Sequence, residues 1–153
     1  DLCEADADAM AVALARHDEL VGQVVTSHGG RLIKTRGEGD ATFSVFDRPS
    51  AAAAAAIEMQ QAVASEPWAL AKPMRIRVAL HTGEVELRDG DYFGREVNIA
   101  ARVVARAAGG EVMVTRPVVE HAGGHLEFEL IGEVRLKGFS EPTELFLARV
   151  AED

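Results

Sequence analysis

Asp91-Tyr92-Phe93-Gly94-Arg95-Glu96-Val97-Asn98-Ile99-Ala100-Ala101-Arg102 carries the chain from an acidic turn, Asp89-Gly90-Asp91, through two aromatics and a glycine into an amphipathic helix. Asn98 and Arg102 are four residues apart, so a helix stacks them one above the other on a single face. Val97, Ala101 and Val104 follow the core-facing spacing of the same helix. Asn98 and Arg102 therefore belong beside the buried stripe, at the rim of an interface or cleft, and Asp91 can face the same place. Ordinary helix surface accounts for the same spacing, and only the wider chain decides between the two.

Ahead of this stretch, Arg75 to Gly83 and Glu84 to Arg88 read as two strands. Earlier still, Met10, Leu14, Val21 and Val24 recur near the helical period from about Ala5 to His28, with His17 filling the gap. Asp6 and Asp8 suit the positive end of that helix, and Gly29-Gly30 ends it. His17 and His28 share a face but lie too far apart along the axis to hold one ion, so they read as solvated or core-edge histidines.

Arg31 to Thr35 and Ala41 to Phe46 then read as a β-hairpin with the acidic, glycine-rich tip Arg36-Gly37-Glu38-Gly39-Asp40. Glu38 and Asp40 have two readings. They are ordinary turn formers, or they are hard-metal ligands on a turn where glycine lets the backbone approach a charged group. Ser50 is placed to cap a helix running to about Ser65, with Ala52, Ala56, Met59 and Val63 on one face.

Beyond the opening stretch, the helix continues toward Gly109-Gly110, Glu111 to Thr115 is a short strand, and Pro117 suits the first turn of a brief helix. Phe128 to Lys137 and Glu144 to Val150 are two strands, made antiparallel by the Ser140-Glu141-Pro142 turn. His121 and His125 flank Gly123-Gly124 and read as loop histidines. The order is helix, hairpin, helix, hairpin, helix, strand, short helix, two strands. This predicts an α+β fold with one mixed sheet and helices on one face. Residues 1–153 read as a single domain, with no internal repeat or low-complexity linker.

The composition excludes several classes. The net charge of −9 leaves no basic face for nucleic acid, although a few local Lys and Arg suffice for a small phosphorylated ligand. One cysteine, Cys3, cannot form an internal disulfide, which suits a reducing compartment. No apolar run approaches the ~20 residues that span a bilayer, so no membrane contact and a cytoplasmic location are expected.

Taken together, several motifs resemble the class III adenylate/guanylate cyclase catalytic domain over nearly the whole chain. They are Gly29-Gly30-Arg31-Leu32-Ile33-Lys34-Thr35, the Gly39-Asp40 hairpin, His81-Thr82-Gly83-Glu84, and Leu136-Lys137-Gly138. The strongest is Asp91 to Arg102, which is similar to the family's Asp-x-x-Gly-x-x-x-Asn-x-Ala-x-Arg pattern in order and spacing. The resemblance implies a ferredoxin-like βαββαβ core with a C-terminal extension, in a head-to-tail homodimer with active sites at the subunit interface. It implies that ATP, rather than GTP, is cyclised to 3′,5′-cyclic AMP and pyrophosphate with two Mg2+ or Mn2+ ions.

Carried over residue by residue, Asn98 resembles the residue that orients the ribose and Arg102 the arginine that stabilises the transition state. Lys34 and Asp91 look like the base-reading pair, a donor for adenine N1 and an acceptor for its N6 amine, and Lys137 like a triphosphate-binding lysine. Asp40 is similar to the second metal carboxylate. Glu38 competes with it, because two extra residues separate Lys34 from the Gly-Asp pair; counting back from Phe46 favours Asp40.

The family's first strand carries the other metal aspartate ahead of the first helix, and residues 1–28 supply no such strand. The expectation is therefore an N-terminally truncated domain, weakly active or inactive as written. The alternative is a non-catalytic cyclase-homology module that dimerises and binds nucleotide for regulation.

Overall fold

Val112-Met113-Val114-Thr115 is buried at every position, and the two faces of this strand organise the fold. Period-two alternation sends Val112 and Val114 to one side of the sheet and Met113 and Thr115 to the other. A computed structural model describes residues 2–33, 42–83, 86–88, 91–93, 95–122 and 126–150. Their order is α1 (Leu2–Ser27), β1 (Arg31–Ile33), β2 (Phe43–Val45), α2 (Pro49–Ser65), β3 (Val78–Leu80), β4 (Glu86–Arg88), β5 (Asp91–Phe93), α3 (Arg95–Val104), β6 (Val112–Thr115), α4 (Arg116–His121), β7 (Leu126–Val134) and β8 (Thr143–Val150).

The main sheet runs β3-β6-β8-β7, with β3 parallel to β6 and the other pairs antiparallel, so it is mixed as predicted. On one side Val112, Val114 and Phe146 pack against Ala53 and Ala56 of α2 and Val118 of α4. On the other, Met113 and Leu145 meet Ile99 and Val103 of α3. Helices on one face therefore holds for α2 and α4, with α1 packed on α2. It fails for α3, because β6 and β8 have an apolar residue on both sides and each side must be covered. The fold is α+β, built on a mixed sheet.

α1 buries Ala13, Leu20, Val21, Val24 and Val25, together with His17, which is 5% exposed, while Met10 stays outside. It ends in a Schellman arrangement. Gly30 N–H donates to Val25 O at 2.9 Å, Gly29 N–H donates to Thr26 O at 3.0 Å, and Gly29 takes φ 79°. Gly30 also lies against the Phe46 ring, where a Cβ would clash.

Four further local expectations are corrected. Ser50 is not the cap of α2: that helix starts at Pro49 with Arg48 at the cap position and no side-chain cap bond, because proline's fixed φ already sets the first turn. β3 and β4 do not form a hairpin. β3 pairs with β6, and β4 pairs with β5 instead, which puts Asp91 in a strand, opposite Arg88, and not in a turn. His121 closes α4 and is not in a loop; His125 lies outside the described residues.

The fourth correction concerns α3. Its buried stripe is Ile99 and Val103, not Val97, Ala101 and Val104. The larger β-branched pair takes the sheet. The second apolar row, with β2, β3, α1 and α2, lines a cavity of about 910 Å³. Phe43, Met59, Val78, Leu80 and Val97 are among its walls. Among the described residues β2 is paired with β1, and β3 with β6.

Arg116 at the start of α4 makes a two-pronged contact with Glu144 of β8, at 2.6 and 2.7 Å, and stacks over Phe146 at 5.1 Å. The guanidinium holds the Glu144 carboxyl below its ordinary value of 4.5, chiefly through the hydrogen bond. A depressed carboxylate pKa gives stability that is present above the unfolded value and lost as pH falls through the folded one. The melting-temperature deficit of Glu144→Gln should thus be present near neutral pH and shrink as pH falls below the ordinary carboxylate value through the depressed one. A deficit independent of pH would contradict it.

Candidate active site

Helix α3 places the two polar residues singled out in the sequence. Asn98 and Arg102 are both exposed on it, away from Ile99 and Val103, and share one face as their spacing predicts. Asn98 lines the cavity. Arg102 stands in the last turn, where a cation is favourable to the helix dipole.

Lys137 is exposed on the turn after β7. The residues around it are firmly held: Leu136 is 2% exposed and packs in the Ile99 and Val103 cluster. Phe139 N–H donates to Leu136 O at 3.0 Å, and Gly138 adopts φ 90°, which favours glycine. Arg95, first residue of α3, stacks over the Phe139 ring at 5.3 Å. Arg95 and residues Gly138 to Glu141 line a second, shallower cleft of about 460 Å³. The Lys137 turn and the start of α3 are thus one packed unit.

Asp91 lies in β5, one glycine position and a strand ahead of α3, and its side chain is outside the described residues. Lys34, Glu38 and Asp40 also fall outside them. Among the described residues no group of three or more His, Cys, Asp or Glu side chains could hold a metal ion. His17 of α1 contacts Asp18 at 3.0 Å, and His28, just beyond the helix, contacts Glu58 at 3.0 Å, so the two histidines have separate structural partners. No helix among the described residues is long and apolar enough to cross a membrane.

The structure adds a group that spacing did not single out. His81, just past β3, joins Thr115 of β6 to Glu96 of α3. His81-Thr82-Gly83-Glu84 stood out only as a motif. The available signal was Glu96 itself, an acid three residues before buried Ile99 and so on the inward stripe.

Residues 1–149 match the adenylate and guanylate cyclase catalytic domain. An uncharacterised protein of Mycobacterium tuberculosis is 37% identical over 137 residues, covering 87% of this chain and 46% of that protein. The chain thus spans less than half the length of this curated relative. Among solved structures, an adenylate cyclase from Trypanosoma brucei in its monomeric state superposes with a TM-score of 0.84 at 24% identity, covering 96% of this chain and 83% of that one. An adenylate/guanylate cyclase/hydrolase from Silicibacter pomeroyi superposes with a TM-score of 0.79 at 26% identity, covering 97% and 88%.

Proposed function

The chain belongs to the adenylate and guanylate cyclase catalytic domain family, and on that premise we propose that it cyclises ATP to 3′,5′-cyclic AMP and pyrophosphate in a homodimer. The observation that carries this is the pairing of Asn98 and Arg102 on the solvent face of α3, with the Lys137 turn packed against the same helix.

In the reaction the ribose 3′-oxygen attacks the α-phosphorus and the bond to the β-phosphate oxygen breaks. The 3′-hydroxyl proton is released and pyrophosphate leaves. Charge builds on the α-phosphoryl oxygens and on the leaving group. Arg102 offers a fixed, always-charged fork of donors to that charge. Asn98 offers an amide that orients the ribose by accepting from or donating to it. Lys137 binds the triphosphate as a point charge. Lys34 and Asp91 read the adenine edge, since a buried polar pair left unpaired by guanine disfavours GTP.

The family generally uses divalent metal ions. Here Mg2+ or Mn2+ would rest on Asp40, with Glu38 the competing ligand, and would activate the attacking oxygen and neutralise phosphate charge. In the homodimer, metal carboxylates of one subunit face the Asn98 and Arg102 of the other, giving two equivalent sites.

One observation favours a second reading, a non-catalytic module that dimerises and binds nucleotide for regulation. Among the described residues the β1–β2 pair forms a sheet separate from the main one, and both β2 and β3 line the large cavity, whose walls are polar as well as apolar. Among the described residues no strand joins the β1–β2 pair to the sheet that carries α3, and a site divided between the two would turn over weakly.

Thermal unfolding with ATP or GTP in the presence of Mg2+ separates these outcomes. The expected result is a rise in melting temperature with ATP, corresponding to about 2.7 kcal/mol at a hundredfold excess over Kd, and a smaller rise with GTP. No shift with either nucleotide would sink both readings. A shift without cyclic AMP formation by the full-length dimer in Mn2+ would select the regulatory module.

A further inference from the structure

His81 sits just beyond β3, and two neighbours hold its ring. Nδ1 lies 2.6 Å from Thr115 Oγ1 at the end of β6, and Nε2 lies 2.5 Å from Glu96 Oε2 in the first turn of α3. The His81 side chain is 8% exposed and that of Glu96 29%, and Thr115 is buried. Shielded from water, a hydrogen bond to a carboxylate is stronger than the same contact at the surface.

Gly83 supplies an independent observation. A Cβ there would stand 2.6 Å from Glu96 Cγ and 2.7 Å from Cδ, so the backbone passes close against the carboxylate arm. His81 grips the end of this arm while Gly83 leaves room for its stem.

Glu96 is at the head of the inward stripe, with Ile99 and Val103 following at the helical spacing. Asn98 and Arg102 project from the opposite, exposed side. A helix of ten residues has little stability of its own, so its placement comes from tertiary contacts. Apolar packing of Ile99 and Val103 resists lifting but is weakly directional. A hydrogen bond at the first turn fixes rotation about the axis and sliding along it.

We propose that His81, braced by Thr115, is a positioning residue that clamps Glu96 and so sets the rotation and axial position from which Asn98 and Arg102 meet the substrate. It touches no substrate itself. Its consequence for turnover rests on the cyclase activity proposed above, whereas its grip on α3 does not.

Amide hydrogen exchange of α3 and Mn2+-ATP turnover, measured on the full-length protein, test this with His81→Ala, His81→Gln, Glu96→Ala and the double alanine variant. Either alanine change should speed α3 exchange and lower kcat, each by about tenfold or more, with KM within about twofold. The double variant should be no worse than either single one, because both remove one shared contact. His81→Gln, which keeps a donor near Nε2, should retain most of the wild-type behaviour. Glu96→Ala, on a partly exposed side chain, keeps the test decisive should His81→Ala fail to fold.

Unchanged α3 exchange in the single variants, or additive effects in the double one, would overturn the clamp. Faster exchange with unchanged kcat in an active enzyme would overturn its link to Asn98 and Arg102. A wild type that turns over neither ATP nor GTP defeats the cyclase function instead, and the exchange rates then decide the clamp on their own.

Discussion

Arg102→Ala is expected to lower ATP cyclisation by about a hundredfold to a thousandfold, with little change in nucleotide binding. Arg102 is exposed on the outer face of α3 and makes no part of the Ile99 and Val103 packing. Its removal therefore leaves the helix in place. Alanine is also a better helix former than arginine by a small margin, so the melting temperature should stay within a few degrees. What is lost is a cation directed at charge that develops only in the transition state, and such an interaction appears in kcat more than in KM. Arg102→Lys should recover part of the rate, because the charge returns without the planar fork. Steady-state kinetics on the full-length protein check this. Turnover by Arg102→Ala equal to wild type would remove the residue from the mechanism.

Phe146→Ala, by contrast, should damage the fold itself, at a loss of about 3–5 kcal/mol. Phe146 is 6% exposed and sits on β8 between β6 and β7, opposite Val114 on one side and Leu130 on the other. Its ring packs with Ala53, Ala56 and Val118 from two helices. These are small residues that cannot swing into the space vacated, so the cavity would persist instead of collapsing. Arg116 would also lose the ring beneath its guanidinium. Urea unfolding followed by circular dichroism gives the loss directly, and a value under about 1 kcal/mol would mean the site relaxes freely. Against a typical domain stability of about 5–15 kcal/mol, the predicted loss removes a large share.

Much of this architecture is legible in the sequence, for identifiable reasons. α1 announces itself through Val21 and Val24 at helical spacing and a Gly-Gly stop, and the structure ends it at Ser27. β7 and β8 read as an antiparallel pair from their strand pattern and the intervening turn, and they pair over most of their length. Asn98 and Arg102 need only the period of a helix to be placed together. These features depend on local spacing, which the chain carries in its own order.

The features that spacing misplaces depend on partners distant in sequence. Val97, Ala101 and Val104 have the spacing of a buried row, as do Ile99 and Val103, and periodicity alone cannot say which row meets a sheet. The sheet that decides it is assembled from β3, β6, β8 and β7, drawn from residues 78 to 150. β3 likewise has the look of a hairpin strand until β6, more than thirty residues later, offers a parallel edge.

The amino-acid sequence by itself determined the family, the helix that presents Asn98 and Arg102, and the alternation that makes β6 and β8 apolar on both sides. Only the tertiary structure decided that α3 covers the opposite face from α2 and α4, that Asp91 belongs to a strand, and that His81 reaches Glu96. The physical reason is that spacing specifies which residues share a face, whereas burial and hydrogen bonding depend on what the rest of the folded chain brings against that face.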